Sequence, residues 1–400
     1  MENISNRNKS QSSVGLLKAT FFHVTAHFAN DFFLSFFAPI LPVLITQMGL
    51  LKVQAGILNL GLELTALSMP LIGKIADKRD IRKYMLLTPA ITSVCMSSLG
   101  IINSFPILFL VLFIGGVSIY FYHAIGPADI ADVKDHAIGR LMAVWNIAGQ
   151  VAFMIGPLIV TWVITQYSVR AMPWLAFIGL VFSVILVVLR RNSTFTSKEK
   201  TGSYQTDPEG KRLAGNRSII RQFIPITGII LLISLSRSAA YAYLPVYIVE
   251  KGGSLWMSGL AISLYFGAGI PGNYLGGFLH DRIGARFVAA IALVGFALFF
   301  TASIFTNGLI QLFLISLMGV FSFMLMPSIM AMLVENNPSD RSLTNGLFLG
   351  LSYGLIALAG VLAGYLLDHL PTERVFLISA IFAFLSVFLV PFLVEVKPSK

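Results

Sequence analysis

The sequence predicts an all-α membrane protein in which twelve transmembrane helices form two pseudo-symmetric six-helix bundles. Three observations lead to this fold class: the composition, the recurrence of long apolar segments, and a loop motif that occurs twice. Hydrophobic residues make up 56% of the chain and charged residues only 12%, against about 25% charged in globular proteins. The mean hydropathy is +0.82, so lipid rather than water must solvate most of the surface.

Twelve apolar segments are each long enough to cross a hydrocarbon core, which takes about 20 helical residues. The first follows a polar stretch, is longer than the apolar region of a signal peptide, and lacks a cleavage site of small residues. We therefore expect it to stay in the mature protein. The segments lie near residues 19–46, 54–73, 84–103, 106–128, 140–165, 172–190, 222–249, 256–279, 286–305, 308–334, 343–367 and 373–394.

The basic residues are distributed unevenly between the two predicted sides of the membrane. Most of the 28 Lys and Arg residues fall in the tails and in alternate loops, whereas the opposite side has only Lys52, Arg170, Lys251 and Arg374. Because basic loops stay in the cytoplasm, both termini should be cytoplasmic and the protein should be a multi-pass protein of the cell (inner) membrane. The same rule accounts for the net charge of +10, and we expect no nucleic-acid partner.

A polar, basic stretch separates the chain into two halves. Residues 191–221 lack the apolar periodicity of a packed element, and we interpret them as a cytoplasmic linker. It would join an N-terminal six-helix bundle at residues 1–190 to a C-terminal one at residues 222–400. The loop after the second span begins GKIADKRDIRK at Gly73, and the loop after the eighth begins GFLHDRIGAR at Gly277, 204 residues later. This repeat indicates an internal duplication.

In both copies of the loop motif an Asp stands four residues after a Gly and is followed by basic residues. Such a loop can hold a carboxylate against the N-terminal end of a neighbouring helix and so lock one conformation of the two halves. The plainer alternative is a pair of basic membrane anchors. The predicted gate residues are Gly73, Asp77, Arg82 and Lys83 in the first copy and Gly277, Asp281, Arg282, Gly284 and Arg286 in the second.

Several polar side chains interrupt the apolar spans. An ionisable group at mid-span costs about 2.5 to 3.5 kcal/mol on insertion scales, so each one is a functional candidate. His23, His27 and Asp31 are spaced by four residues and should lie on one side of a helix. The alternative for each group is a buried hydrogen bond between helices without a role in transport. The predicted substrate and proton-coupling residues are Asp31, Arg237, Glu63, His27, Asn30 and His123.

Other kinds of site find less support in the sequence. The His and Asp residues of the first span suggest a metal site, but the loops supply no further Cys or His cluster, and we expect no metal. Cys95 is the lone cysteine and cannot form an intrachain disulfide. We expect no cofactor, and ATP is not the obvious driver, because the chain has no phosphate-binding loop motif. No nucleophile and base stand at a recognisable spacing, which argues against an enzyme.

The duplicated loop motif resembles that of the major facilitator superfamily, whose two six-helix bundles carry it in loops 2/3 and 8/9. The first copy here has Asp80 where glycine is usual. A further set of residues is similar to the fosmidomycin-resistance group of drug exporters, although that group's His-Pro pair is His123-Ala124 here. This set consists of His27-Phe-Ala-Asn30-Asp31, of Gly115-Gly116 through Tyr122-His123, and of Gly139-Arg140 to Gly156-Pro157.

The resemblance and the repeat together imply a secondary active transporter of small solutes that works by alternating access. We expect proton-coupled efflux of a drug or metabolite, that is, an antiporter associated with drug resistance. Its expected partners are a small-molecule substrate, a proton as the coupling ion and the lipid bilayer, and we expect a monomer. The alternatives are an importer or facilitator of a small metabolite and, from another class, a membrane-embedded enzyme using the His/Asp cluster.

Asp31 and Arg237 occupy corresponding positions in the first and seventh spans, 206 residues apart. The resemblance implies that these two helices are symmetry mates lining a central cavity, so we expect the acid and the base to face each other across it. Separation of the pair would then couple proton binding to the capture of an anionic or polar substrate by Arg237. The competing hypothesis is a permanent structural ion pair.

Overall fold

The computed structural model describes residues 2–131, 138–191, 212–337 and 341–395, and no strand occurs in these ranges. Side chains are described for residues 18–76, 78–127, 129–130, 141–191, 221–337, 344 and 347–395. The α-helices of the described ranges are α1 (Glu2–Leu34), α2 (Phe37–Met48), α3 (Lys52–Glu63), α4 (Met69–Lys78), α5 (Thr88–Ser98), α6 (Phe105–Ala131), α7 (Ile138–Gln166), α8 (Ala176–Arg191), α9 (Arg212–Ala242), α10 (Leu244–Glu250), α11 (Leu255–Gly267), α12 (Gly269–Ile304), α13 (Gly308–Asn336), α14 (Arg341–His369) and α15 (Thr372–Ser386).

These helices account for the predicted membrane spans. Within the described residues, 10 helical stretches are long and apolar enough to cross a membrane. One of them, Leu255–Ile304, is 50 residues long and contains both the eighth and the ninth predicted spans. The third predicted span is the shorter apolar helix Thr88–Ile101. The all-α membrane fold with two six-helix bundles is confirmed.

Gly284 separates the eighth span from the ninth within α12. Its backbone has φ 81° and ψ 165°, a conformation that residues with a Cβ rarely adopt. The chain turns there, and the next helical turn begins at Ala285. The glycine of the duplicated loop motif therefore allows two long helices to follow each other almost without a connecting loop.

The two bundles pack against each other along two helix pairs. Helix α3 of the first bundle lies along α14 of the second, and α7 lies along α11. At the end where α2 stops and α3 begins, polar contacts join the bundles. The Lys52 ammonium is 2.7 Å from Glu250 Oε1, and the Tyr243 hydroxyl donates to the Lys52 carbonyl at 2.9 Å. We call this end of the molecule the latched end.

The domain boundaries stay a prediction. Residues 192–211, which make up most of the predicted linker, lie outside the described residues. The helix that carries the seventh span begins at Arg212, inside the segment assigned to the linker. One apolar core cluster contains residues of both bundles, and a separate cluster around Phe22, Tyr122 and Trp145 lies in the first bundle.

Candidate functional site

A cavity of about 210 Å³ lies between the two bundles. It is lined from the N-terminal bundle by Asp31, Leu34, Glu63, Tyr120, His123 and Phe153. The C-terminal bundle contributes residues that include Arg237, Tyr241, Tyr265, Phe266 and Tyr353. Four of the six predicted substrate and coupling residues thus line one cavity: Asp31, Glu63, His123 and Arg237.

Two histidines hold the Asp31 carboxylate at the wall of this cavity. His123 Nε2 lies 2.9 Å from Asp31 Oδ1, and His27 Nε2 lies 3.1 Å from Oδ2. His27 reaches Asp31 because the two residues are one helical turn apart on α1, and His123 comes from α6. Each carboxylate oxygen therefore has a ring nitrogen of its own.

The protonation of His27 follows from its other contact. His27 Nδ1 is 2.6 Å from the carbonyl oxygen of Trp145, and a carbonyl only accepts hydrogen bonds, so Nδ1 must carry a proton. His27 Nε2 then faces Asp31 Oδ2 at 3.1 Å, where a proton on Nε2 or on the carboxyl group would make the contact attractive. The arrangement offers a place for a proton between the two side chains.

The donor atoms of His27, Asp31 and His123 also lie within 4.8 Å of one another, as the ligands of a metal ion would. His123 Nε2 is within hydrogen-bond distance of Asp31 Oδ1, and His27 Nε2 lies at ion-pair distance from Oδ2, so each nitrogen faces a different oxygen. We call these three residues the Asp31 cluster.

Helix α7 fixes the orientation of the His27 ring. The Trp145 indole stacks on the His27 imidazole with ring centroids 3.7 Å apart and an interplanar angle of 12°. Its Nε1–H donates to the Tyr122 hydroxyl at 2.9 Å, which holds the indole in place. One turn further along α7, a Cβ on Gly149 would lie 2.6 Å from Asp31 Oδ2. Only a glycine allows α7 to pack this closely against the cluster.

Glu63 lies where the second span changes from an α-helix to a 3-10 helix, Leu64–Ser68. The Tyr120 hydroxyl donates to Glu63 Oε2 at 2.5 Å. Tyr120 also contacts the ring of Tyr353 from the opposite bundle, with centroids 5.9 Å apart. The glutamate is thus tied to a residue that meets the other half of the molecule.

The expected pair between Asp31 and Arg237 is not formed. Both side chains line the cavity, but the Asp31 carboxylate is occupied by His27 and His123. The Arg237 guanidinium lies over the ring of Phe323, 5.4 Å from its centroid. Because the two histidines already contact both carboxylate oxygens, Asp31 has partners without Arg237.

Asn30 and His23 lie outside the lining of the cavity. Asn30 is fully buried; its amide donates to Thr88 Oγ1 at 3.1 Å and its carbonyl accepts from Thr92 at 3.3 Å, which joins α1 to α5. Its assignment to the substrate site stays a prediction. His23 Nε2 is 3.6 Å from Asp129 Oδ2, one turn of α1 before the Asp31 cluster.

The first copy of the loop motif contacts helices of its own bundle. Arg82 Nη1 donates to Asp129 Oδ1 at 3.0 Å, and the Arg82 carbonyl accepts from Arg190 at 3.3 Å. The Lys83 ammonium is 5.3 Å from the ring centroid of Tyr84. A Cβ on Gly73 would meet no atom within 4 Å. The side chain of Asp77, the predicted gating acid, lies outside the described residues.

The second copy of the loop motif contacts residues near the C-terminus of the chain and not the opposite bundle. Asp281 is exposed, and the carboxylate at the helix N-terminus after Gly284 belongs to Glu395, which accepts from the Ala285 N–H at 2.5 Å. Arg286 Nε donates to the Leu393 carbonyl at 2.9 Å. The expected contact of Asp281 with a helix end is thus replaced, because Glu395 already occupies that position.

The two remaining motif residues have local surroundings. The Arg282 guanidinium lies 4.2 Å from the ring centroid of Phe278, and Gly277 has open space beside it. The contacts described for both copies of the motif stay within one bundle. A gating role for these loops remains a prediction.

Sequence reasoning missed Trp145, Gly149 and Tyr120, which orient or contact the predicted residues. One signal was present: three of the four tryptophans fall at predicted outer ends of spans, and Trp145 does not. The sequence offered no comparable signal for Gly149 or Tyr120, because their importance depends on which helix faces α1 and α3.

Comparison with known proteins identifies a family that this chain matches. The model of the Major Facilitator Superfamily matches residues 24–281 and 226–400. The Fosmidomycin resistance protein of Escherichia coli (strain K12) is 23% identical over 387 residues, which cover 93% of this chain and 91% of that protein. An uncharacterized MFS-type transporter of Bacillus subtilis (strain 168), YfnC, is 24% identical over 354 residues, covering 86% of this chain and 84% of that one.

Solved structures share the fold at low sequence identity. A variant of the nucleoside transporter NupG superposes with a TM-score of 0.76 at 15% identity, covering 94% of this chain and 100% of that one. A D-xylose-proton symporter gives a TM-score of 0.72 at 14% identity, covering 96% and 99%. At these identities the likeness concerns the fold alone.

Proposed function

Since the chain belongs to the Major Facilitator Superfamily, we propose that it is a proton-coupled exporter of a drug or small metabolite. Membership of this transporter family makes the chain a secondary transporter of small solutes that works by alternating access, and it excludes the membrane-embedded enzyme. Coupling to protons and the outward direction are our proposals.

The observation that supports the coupling is the contact of two histidines with the Asp31 carboxylate at the wall of the cavity. His27 keeps a proton on Nδ1 for the Trp145 carbonyl, so its Nε2 can share a further proton with Asp31. His123 makes the same carboxylate part of the cavity wall. A solute entering the cavity can therefore compete with this proton site without any long-range connection.

Alternating access turns this competition into exchange. When the cavity opens to the acidic side, the cluster takes up its proton and the solute leaves; when it opens to the other side, the proton leaves and a solute binds. Release of the proton leaves the Asp31 carboxylate ionised beside His27, which is costly in a buried site. That cost disfavours reorientation of the carrier when it is both empty and deprotonated. Proton movement and solute movement therefore stay coupled.

Fosmidomycin is the first solute to test, because a relative covering 93% of this chain is named for resistance to it. Everted membrane vesicles containing the protein should accumulate fosmidomycin when their interior is acidic. The Asp31→Asn variant should lose this accumulation but retain gradient-independent exchange of labelled for unlabelled drug. Asp80→Asn, which changes an exposed aspartate of the same bundle, is the matched control and should accumulate normally.

An Asp31→Asn protein that is produced normally and still concentrates fosmidomycin would refute the coupling role. Absence of fosmidomycin exchange by the unmodified protein would refute export of this drug. Net uptake along the opposite gradient would favour the alternative, an importer of a small metabolite.

A further inference from the structure

The cavity contains hydrogen-bond donors that the protein does not use. The Arg237 guanidinium and the hydroxyls of Tyr241 and Tyr353 all line it. Among the described residues, none of these three groups has an ion-pair or hydrogen-bond partner. Arg237 makes a cation–π contact with Phe323, which leaves its N–H groups without an acceptor. A cation without a counter-charge is costly at this depth in a membrane protein.

The acceptors of the cavity, by contrast, mostly have partners. Both oxygens of Asp31 face histidine nitrogens, at 2.9 and 3.1 Å. Glu63 Oε2 accepts from Tyr120 at 2.5 Å. The Tyr265 hydroxyl is 2.6 Å from Ser322 Oγ. Among the described contacts, neither carboxylate of the cavity is paired with Arg237, so this guanidinium lacks a counter-charge.

The walls beside Arg237 are aromatic. Phe266 stacks on Phe153 of the opposite bundle with centroids 4.6 Å apart, and Tyr241 meets Phe266 edge to face at 5.2 Å. Such faces and edges give the carbon skeleton of a ligand an apolar surface to pack against. A volume of about 210 Å³ restricts the ligand to a small molecule.

We infer that the transported solute is a small organic anion, whose acidic group binds Arg237 and the hydroxyls of Tyr241 and Tyr353 while its carbon skeleton lies against Phe266. This inference rests on the proposed function in taking this cavity as the transport site. An arginine can give two parallel N–H bonds to a carboxylate, and two tyrosine O–H donors can satisfy its remaining lone pairs. The anion supplies the missing counter-charge and occupies all three donors at once.

Three probes of nearly the same shape differ in charge and therefore test the preference for an anion. Benzoate, benzamide and benzamidine carry a negative, a zero and a positive charge on the same phenyl ring at neutral pH. Binding to the purified full-length protein in detergent is measured by isothermal titration, which needs no proton gradient. Benzoate should bind at least about tenfold more tightly than benzamide, as expected for charge-assisted hydrogen bonds, and benzamidine should bind no better than benzamide.

Variants test whether Arg237 causes the preference for benzoate over benzamide. Arg237→Gln should remove the preference for benzoate over benzamide, and Arg237→Lys should retain part of it because the charge remains. Arg170→Gln removes an exposed arginine and is the matched control, which should bind as the unmodified protein does. If Arg237→Gln does not fold, the Lys variant and the three-probe series on the unmodified protein decide the matter.

Tighter binding of benzamidine, equal binding of all three probes, or an unchanged preference in a folded Arg237→Gln protein would overturn the inference. Asp31→Asn should keep the benzoate preference. A failure of the benzoate experiment therefore leaves the test of proton coupling intact, and loss of coupling in Asp31→Asn leaves the anion assignment intact.

Discussion

The Asp368 carboxylate accepts a hydrogen bond from the backbone N–H of Lys52, 2.8 Å away in the opposite bundle. Its second oxygen accepts from the Val53 N–H, also at 2.8 Å. Residues 52 and 53 form the first turn of α3, where N–H groups have no partner within the helix and the helix dipole is positive. One bundle thus supplies the cap for a helix of the other, and this contact exists only while the latched end is closed.

Replacing Asp368 with Asn should weaken this closure. An amide can accept from only one of the two N–H groups and places its NH₂ against the other, so we expect a loss of about 1 kcal/mol. The population open at the latched end should then rise roughly fivefold. Spin labels on cysteines at Gln47 and Arg374, exposed at this end on different bundles, would report it as a longer distance.

The matched control for this measurement is Glu373→Gln. It removes an acid from the same end, in the first turn of α15, where the side chain stabilises its own helix. Its distance distribution should match that of the unmodified protein. Equal distributions in the Asp368→Asn and Glu373→Gln proteins would show that the cap does not hold the bundles together.

Replacing Gly149 with Ala should disturb the Asp31 cluster by steric contact alone. Alanine favours a helix by about 1 kcal/mol over glycine, so any loss must come from the new methyl group. That group would lie 2.6 Å from Asp31 Oδ2 and 2.7 Å from His27 Cε1. We expect gradient-driven accumulation of fosmidomycin to fall several-fold and the thermal unfolding temperature to drop.

Gly354→Ala provides the comparison for Gly149→Ala. A Cβ at Gly354 in α14 would meet no atom within 4 Å, so this variant should retain transport and be as stable as the unmodified protein or more so. If the two variants show the same transport and the same stability, close packing of α7 against the Asp31 cluster does not matter for function.

The orientation of the chain in the membrane can be tested with single cysteines. In a Cys95→Ala background, a cysteine at Lys251 should react with a membrane-impermeant thiol reagent in intact cells, and one at Ser197 should not. Cys95 is buried and unpaired, so its replacement by alanine removes background labelling at little cost. Reaction at Ser197 would place the central linker and both termini outside the cytoplasm. With cytoplasmic termini, the latched end faces outward.

Span positions could be predicted because lipid imposes a simple length and composition rule on every helix. The rule also indicated which polar residues are exceptional, among them Asp31, Glu63 and Arg237. It could not predict their partners. Whether Asp31 meets His123 or Arg237 depends on the rotation of α1 about its axis and on the tilt of α6 and α9, which the pattern of helices that are apolar on every side leaves open.

The loop motif also shows that the sequence could not predict which residues contact each other. The duplicated spacing predicted that the Asp281 carboxylate would lie against the N-terminal end of a neighbouring helix. At the helix start following Gly284, the carboxylate that accepts from the backbone belongs to Glu395. In the folded protein Glu395, more than a hundred residues away, reaches that position, since the last helix of the bundle ends beside it.

The two bundles share one architecture but contribute different kinds of side chain to the cavity between them. The titratable cluster of Asp31, His27 and His123 belongs to the first repeat, and the unused donors Arg237, Tyr241 and Tyr353 belong to the second. On the proposed roles, substitutions in the second repeat would change the solute that is bound and leave the proton site in the first repeat unaltered.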